Sequence, residues 1–271
     1  MHRSLTREVV NPATLSPAAK RALLDELHAT HAAIFDGVSK AAFRRYVVDS
    51  PAERTRIELL RDGDRLVGYL AIHVFLRSIA GQRWVVIRAE SGKLPRYRRR
   101  AQGRLMIAEV LRVCLRYPRW RKALLGCLIH PSSYVALGHV APQMYPHWTE
   151  PTPTRVESVM HELAQDFGLD IVDASRPGVR EVGWITKETD AERRSWAARD
   201  CAMTRLYVER NPNYRAGHGL LTFVPVSLRA LVDGSTRHAL RLARRAWSAR
   251  PRAGATEAWP RESLERASGG R

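Results

Sequence analysis

Apolar positions recur at helical spacing in the first part of the chain. Leu23, Leu24, Leu27, His31 and Ile34 repeat every three to four residues, behind Ser16-Pro17, a capping residue followed by proline. The spacing predicts an amphipathic helix over about 17–35, and a second, short helix is expected over about 39–49. The period then changes. Three runs follow, RTRIELLRD, RLVGYLAIHVF and QRWVVIRAE, with turn signals at Asp62-Gly63 and Ala80-Gly81 between them. An antiparallel meander is predicted, and its second and third runs are apolar enough for central strands.

Leu105, Ala108, Leu111 and Leu115 mark the expected buried stripe of a helix that ends near Tyr117-Pro118. KALLGCLIHP reads as a buried strand stopped by Pro131, SSYVALGHV as a short helix, and TRVESVMHELAQDFG as a helix ending at Gly168. Two later strands, REVGWIT and GLLTFVPV, flank a helical segment over about 188–210. This order indicates an α/β fold with a mixed, mostly antiparallel central sheet flanked by helices, and argues against a Rossmann arrangement. Residues 1–226 read as one domain. Residues 227–271 read as a basic amphipathic helix, TRHALRLARRAWSAR, and then a Pro-, Gly- and Ser-rich tail.

Charge changes the picture. The 45 Lys and Arg outnumber the 27 Asp and Glu, giving a formal charge of +18 and a pI near 10.9. Such a balance points to a polyanionic partner. From Lys93 to Lys122 there are eleven basic residues and one acid, Glu109. Nucleic acid is the less favoured partner, because aromatic content is 7% and no aromatic–basic stacking pattern appears. The three cysteines show no C-x-x-C spacing, and no apolar run reaches the roughly 18 residues of a membrane span. The N-terminus lacks the apolar core of a signal peptide, so a cytoplasmic location is expected. The basic helix reads either as a terminal helix that packs its apolar stripe on the body with its arginines in water, or as a peripheral contact for an anionic membrane or an acidic carrier protein.

The densest charge falls where a helix must start. In LPRYRRRAQGR, Arg96, Arg98, Arg99, Arg100 and Arg104 crowd a helix N-terminus that already carries partial positive charge. An anion resolves the conflict. Backbone N–H groups at a helix start, small residues at Ala101 and Gly103, and neighbouring guanidiniums would together cradle a diphosphate.

This stretch resembles the acyl-CoA pyrophosphate loop of the GNAT acyltransferase superfamily, with the pattern P-x-[YF]-R-x-x-G-x-[GA]. Pro95, Tyr97, Arg98 and Gly103 match, and Ala101 replaces the first glycine. The element order over about 16–140 is also similar. The resemblance implies an acyltransferase that moves an acyl group from an acyl-CoA or acyl-carrier-protein thioester to an amine, without a metal. The donor would lie along splayed central strands, held by Leu94, Arg98, Arg99, Arg100, Ala101, Gln102, Gly103 and Arg104. Glu90 occupies the place of the general base at the end of that fold's fourth strand; pairing with Arg88 or another arginine is its alternative. Tyr134 lies where relatives carry the tyrosine that protonates the leaving thiolate; an ordinary half-buried aromatic is its alternative. His130, closing a strand beside the site, reads as base, substrate contact or backbone cap. IHPSSY and NPNYRAGHGLLTFVPV resemble a bacterial subgroup, some of whose members place fatty acyl groups on ribosomally made peptides. For that reading the partners are a peptide or small-molecule amine, an acidic acyl carrier protein and an anionic membrane surface. A non-catalytic basic binding protein, or a shell that has lost activity, is the alternative.

Overall fold

The computed structural model describes residues 5–98, 103–141, 143–234 and 236. The chain opens with strand β1 (Leu5–Val10), whose exposed, polar pattern fits an edge. Ser16 then accepts a hydrogen bond from the Ala19 N–H and starts α1 (Pro17–Ala32), which buries Leu23, Leu24, Leu27, Thr30 and His31. A short strand, β2 (Phe35–Asp36), precedes α2 (Lys40–Phe43), which widens into a π turn over Arg44–Val48.

The meander follows as β3 (Arg54–Asp62), β4 (Arg65–Ile79) and β5 (Gln82–Lys93), all antiparallel. Ala80 (φ 48°) and Gly81 (φ 71°) both take the left-handed backbone that a two-residue hairpin turn requires. Both faces of β4 are covered, which is why its sequence barely alternates. Tyr69 and Ala71 join the core under α1, and Leu70, Ile72 and Val74 join the core under α3 (Arg104–Arg116).

The phase of α3 differs from expectation. Its buried residues are Leu105, Glu109, Val110, Val113 and Cys114, while Leu111 and Leu115 are 42% and 67% exposed and Ala108 faces solvent. An acid turns the helix. Glu109 is buried and receives two hydrogen bonds from Arg54 of β3, at 3.0 and 3.2 Å. A stripe drawn from hydrophobicity alone misses that pair.

Beyond α3, β6 (Arg121–Leu128) runs parallel to β5, and α4 (Pro131–Gly138) and α5 (Thr154–Asp166) follow. The segment expected as one strand, REVGWIT, divides into β7 (Val179–Glu181) and β8 (Ile185–Thr186), because Gly183 (φ 75°) turns the chain between them. Helices α6 (Asp190–Ala197) and α7 (Ala202–Arg210) lead to β9 (His218–Pro225). The seven-stranded sheet has the order β1-β3-β4-β5-β6-β9-β7, and β2 pairs with β8 apart from it. The result is the expected mixed, mostly antiparallel α/β fold. The basic helix and tail at 237–271 lie outside the described residues.

Candidate active-site cleft

Among the described residues, the one parallel contact in the main sheet is short. β5 pairs with β6 only from Trp84–Arg121 to Ile87–Leu124. Beyond that point β5 continues to Lys93 against β4, and β6 continues to Leu128 against β9. The strands therefore part, and a cleft of about 1690 Å³ opens between them. Along residues 88–92 the edge of β5 that faces the cleft has no strand partner among the described residues. Such an edge presents N–H and C=O groups to whatever lies there. Met106, Ile107 and Val110 of α3 line one side, and residues of α6 line another.

Glu90 stands on the β5 wall opposite Ala71, between Tyr69 and His73 on β4. Its Oε2 lies 3.0 Å from Nε2 of His73, without the alignment of a hydrogen bond. The imidazole is 1% exposed and fixed at its other nitrogen, 2.9 Å from the Thr55 hydroxyl. The sequence-based alternative for Glu90 named Arg88. That guanidinium instead lies over the Phe167 ring at 4.8 Å. Burial, and then the charge of Glu90, raises the Tyr69 phenol well above its usual range. The Tyr69 hydroxyl lies 2.8 Å from Nδ1 of His31.

His130 sits on the β6 side, buried, just ahead of α4. The Ser132 N–H donates to its Nδ1 at 3.1 Å, so the cap expected as one alternative is present. That bond fixes Nδ1 as the acceptor nitrogen, leaving Nε2–H to donate to Glu188 Oε1 at 2.7 Å. The Ser132 hydroxyl also meets Nδ1, at 2.6 Å. The hydrogen bond from His130 holds the Glu188 carboxyl below the usual range, and Arg215, 3.5 Å away, adds to this. Trp196 and Tyr214 set their rings edge-on to the imidazole at 5.5 and 5.7 Å. His130, Ser132 and Glu188 all line the cleft.

Tyr134 is placed differently. It is fully buried behind the wall, and its hydroxyl donates to the Pro146 carbonyl at 2.6 Å. Burial raises its pKa further. Of the two readings of Tyr134, the aromatic packing role fits this position, although the side chain is wholly rather than half buried.

The expected diphosphate loop is described only at its ends. Arg99, Arg100, Ala101 and Gln102 lie outside the described residues. Arg98 reaches α6, donating to Glu192 and, at 2.7 Å, to the Lys187 carbonyl. Leu94 donates its N–H to Val67 at 2.9 Å and packs its side chain on the α1 core. Gly103 precedes α3, and among the described residues a side chain added there meets nothing within 4 Å. Arg104 is exposed at the first position of α3.

His73, Ser132 and Glu188 were not singled out in the sequence. Ser132 had a local signal, two residues beyond His130. Glu188 had none, being joined to His130 only by the fold. Among the described residues no three His, Cys, Asp or Glu side chains gather as a metal site, and no helix is long and apolar enough to cross a membrane.

No protein-family model and no curated protein matches this chain. Solved structures with similarity include a GCN5-related N-acetyltransferase from Kribbella flavida, with 13% identity over 81% of this chain and 98% of that one, and a TM-score of 0.36. A GNAT-family acetyltransferase from Streptococcus pneumoniae shows 12% identity over 82% and 100%, with a TM-score of 0.31. Arabidopsis thaliana NAA60 in complex with acetyl-CoA shows 16% identity over 52% and 87%, with a TM-score of 0.32. At these TM-scores the similarities assign no family to the chain.

Proposed function

We propose that this chain is a GNAT-type N-acyltransferase, taking an acyl group from a thioester and delivering it to an amine. The observation that carries the reading is the parting of β5 from β6. It leaves an open backbone edge beside Glu90 on one wall and His130 on the other. An extended pantetheine arm can hydrogen-bond along such an edge as a strand would. The donor's diphosphate belongs at the start of α3, where the helix dipole and the arginines that the sequence carries over 98–104 favour an anion.

Glu90 accepts the proton of the attacking amine, and His73 positions the carboxylate. Tyr134 is assigned no proton transfer, because its hydroxyl is committed to Pro146. The cleft exceeds the roughly 300–1,000 Å³ of ordinary small-molecule sites. Its apolar lining by Met106, Ile107, Val110, Leu137, Val140 and Leu231 suits a medium or long acyl chain. The acceptor is a peptide or small-molecule amine. The basic 237–271 segment suits an acidic carrier protein as donor, or an anionic membrane surface.

The test is incubation with acyl-CoAs of graded length, acyl-carrier-protein and a panel of amines, reading thiol release and product mass. The expected result is an amide product, with calorimetric CoA binding that Gly103→Glu abolishes. Absence of both thiol release and CoA binding would overturn the reading.

A further inference from the structure

We propose that Ser132 is a nucleophile that carries the acyl group between donor and acceptor, with His130 as its base and Glu188 orienting the imidazole. This rests on the acyltransferase reading above. Two contacts and a shared location support it. The serine hydroxyl lies 2.6 Å from His130 Nδ1, and His130 Nε2 lies 2.7 Å from Glu188 Oε1. All three side chains line the cleft.

Nucleophile, base and orienting carboxylate in series is the arrangement that activates a serine, and it is recognised by geometry rather than by chain position. Here Nδ1 faces the serine and Nε2 the carboxylate. The imidazole relays a proton in either orientation, since one nitrogen accepts while the other donates. Helix capping alone explains the bond from the Ser132 N–H to Nδ1. It requires neither the hydroxyl on the same nitrogen nor a buried carboxylate on the other. Ser132 also lies in the first turn of α4, where the helix dipole favours developing negative charge on its oxygen.

In the first half-reaction Ser132 Oγ attacks the thioester carbonyl carbon and the C–S bond breaks. The hydroxyl proton passes to His130 Nδ1 and then to the thiolate, which leaves as free thiol. Ser132 is left as an acyl ester. In the second half-reaction the amine attacks the ester carbonyl and the C–O bond breaks. Glu90 takes the amine proton, and the serine oxygen recovers its own from His130, reprotonated from solvent; Glu90 returns its proton to solvent. The sum is thioester plus amine giving amide plus thiol.

The experiment uses the full chain with acyl-CoA and no amine, followed by intact-mass and peptide analysis. One acyl group per chain, on Ser132 and labile to hydroxylamine, is expected, with a matching burst of thiol. Ser132→Ala keeps the backbone donor to Nδ1, so it should melt as the wild type does while forming no adduct. A fluorophosphonate probe is run in parallel and needs no acyl donor. It should label Ser132, and Glu188→Gln should slow that labelling by roughly 10²-fold or more. If thiol is released only when amine is present, no adduct forms and Ser132→Ala turns over normally, transfer is direct. The inference then fails and the acyltransferase reading stands. If no thiol is released under any condition, the acyltransferase reading fails, and with it the acyl-carrier role; labelling of Ser132 then retains only the activated serine, and no labelling removes that too.

Discussion

His31 packs among Phe35, Phe43, Tyr69 and Trp184, 1% exposed, with Nδ1 on the Tyr69 hydroxyl. Burial, and then the charge of His28, lowers its pKa from 6.5 to about 4. The folded chain therefore refuses a proton that the unfolded chain takes up. Stability from this group is complete above pH 6.5, declines as pH falls towards about 4, and totals on the order of 3 kcal/mol. Urea midpoints measured across that window should show the slope, and His31→Gln should flatten it. Glu90 makes a different prediction. Glu90→Gln should cut turnover by roughly 10²–10⁴-fold in steady-state assays while calorimetric CoA binding stays nearly unchanged. Glu90 and His130 were legible in the sequence as the ends of the runs QRWVVIRAE and KALLGCLIHP, although β5 runs on to Lys93 and β6 stops at Leu128. Their partners were not. His73 meets Glu90 through strand register, and Glu188 meets His130 across 58 positions, so no local spacing records either contact.

In α3 the sequence yielded a helix but not its inward face. Periodicity located the element within a residue or two of Arg104–Arg116, since a 3.6-residue repeat survives any rotation about the axis. The rotation is set by Glu109, an acid that no hydrophobic count would place inside. Arg54→Met would leave that carboxylate buried without its bidentate partner. Urea denaturation should register a loss of about 3 kcal/mol, and adding Glu109→Leu should return most of it. The outward residues supply the contrast. Leu115→Lys should change stability by no more than about 0.5 kcal/mol, although Leu115 looked like core in the sequence. Strand assignments fared better where turns were strong. Ala80-Gly81 fixed the hairpin of β4 and β5, whereas Gly183 broke a single expected strand into two.

For the whole molecule, the meander and the alternation of helices with strands were enough to name the fold class. The position of β9 between β6 and β7 was not readable, because both of its pairings join segments far apart in the chain. The parting of β5 from β6 was expected only through the resemblance, as splayed central strands, and not from any residue pattern. That parting has a mechanical side. Among the described residues four register pairs are all that stitch β1-β3-β4-β5 to β6-β9-β7 along the sheet, so the sheet carries a seam. Regions with fewer ladder bonds open at lower free energy than the strands around them. Amides of residues 88–92 that face the seam should therefore exchange hydrogen faster than those bonded to β4. A thioester donor stretched along the gap would slow them and, at a hundredfold excess over its Kd, stabilise the chain by about 2.7 kcal/mol. In the proposed complex the donor acts as a detachable strand, added to the β5 edge on binding and lost from it on release.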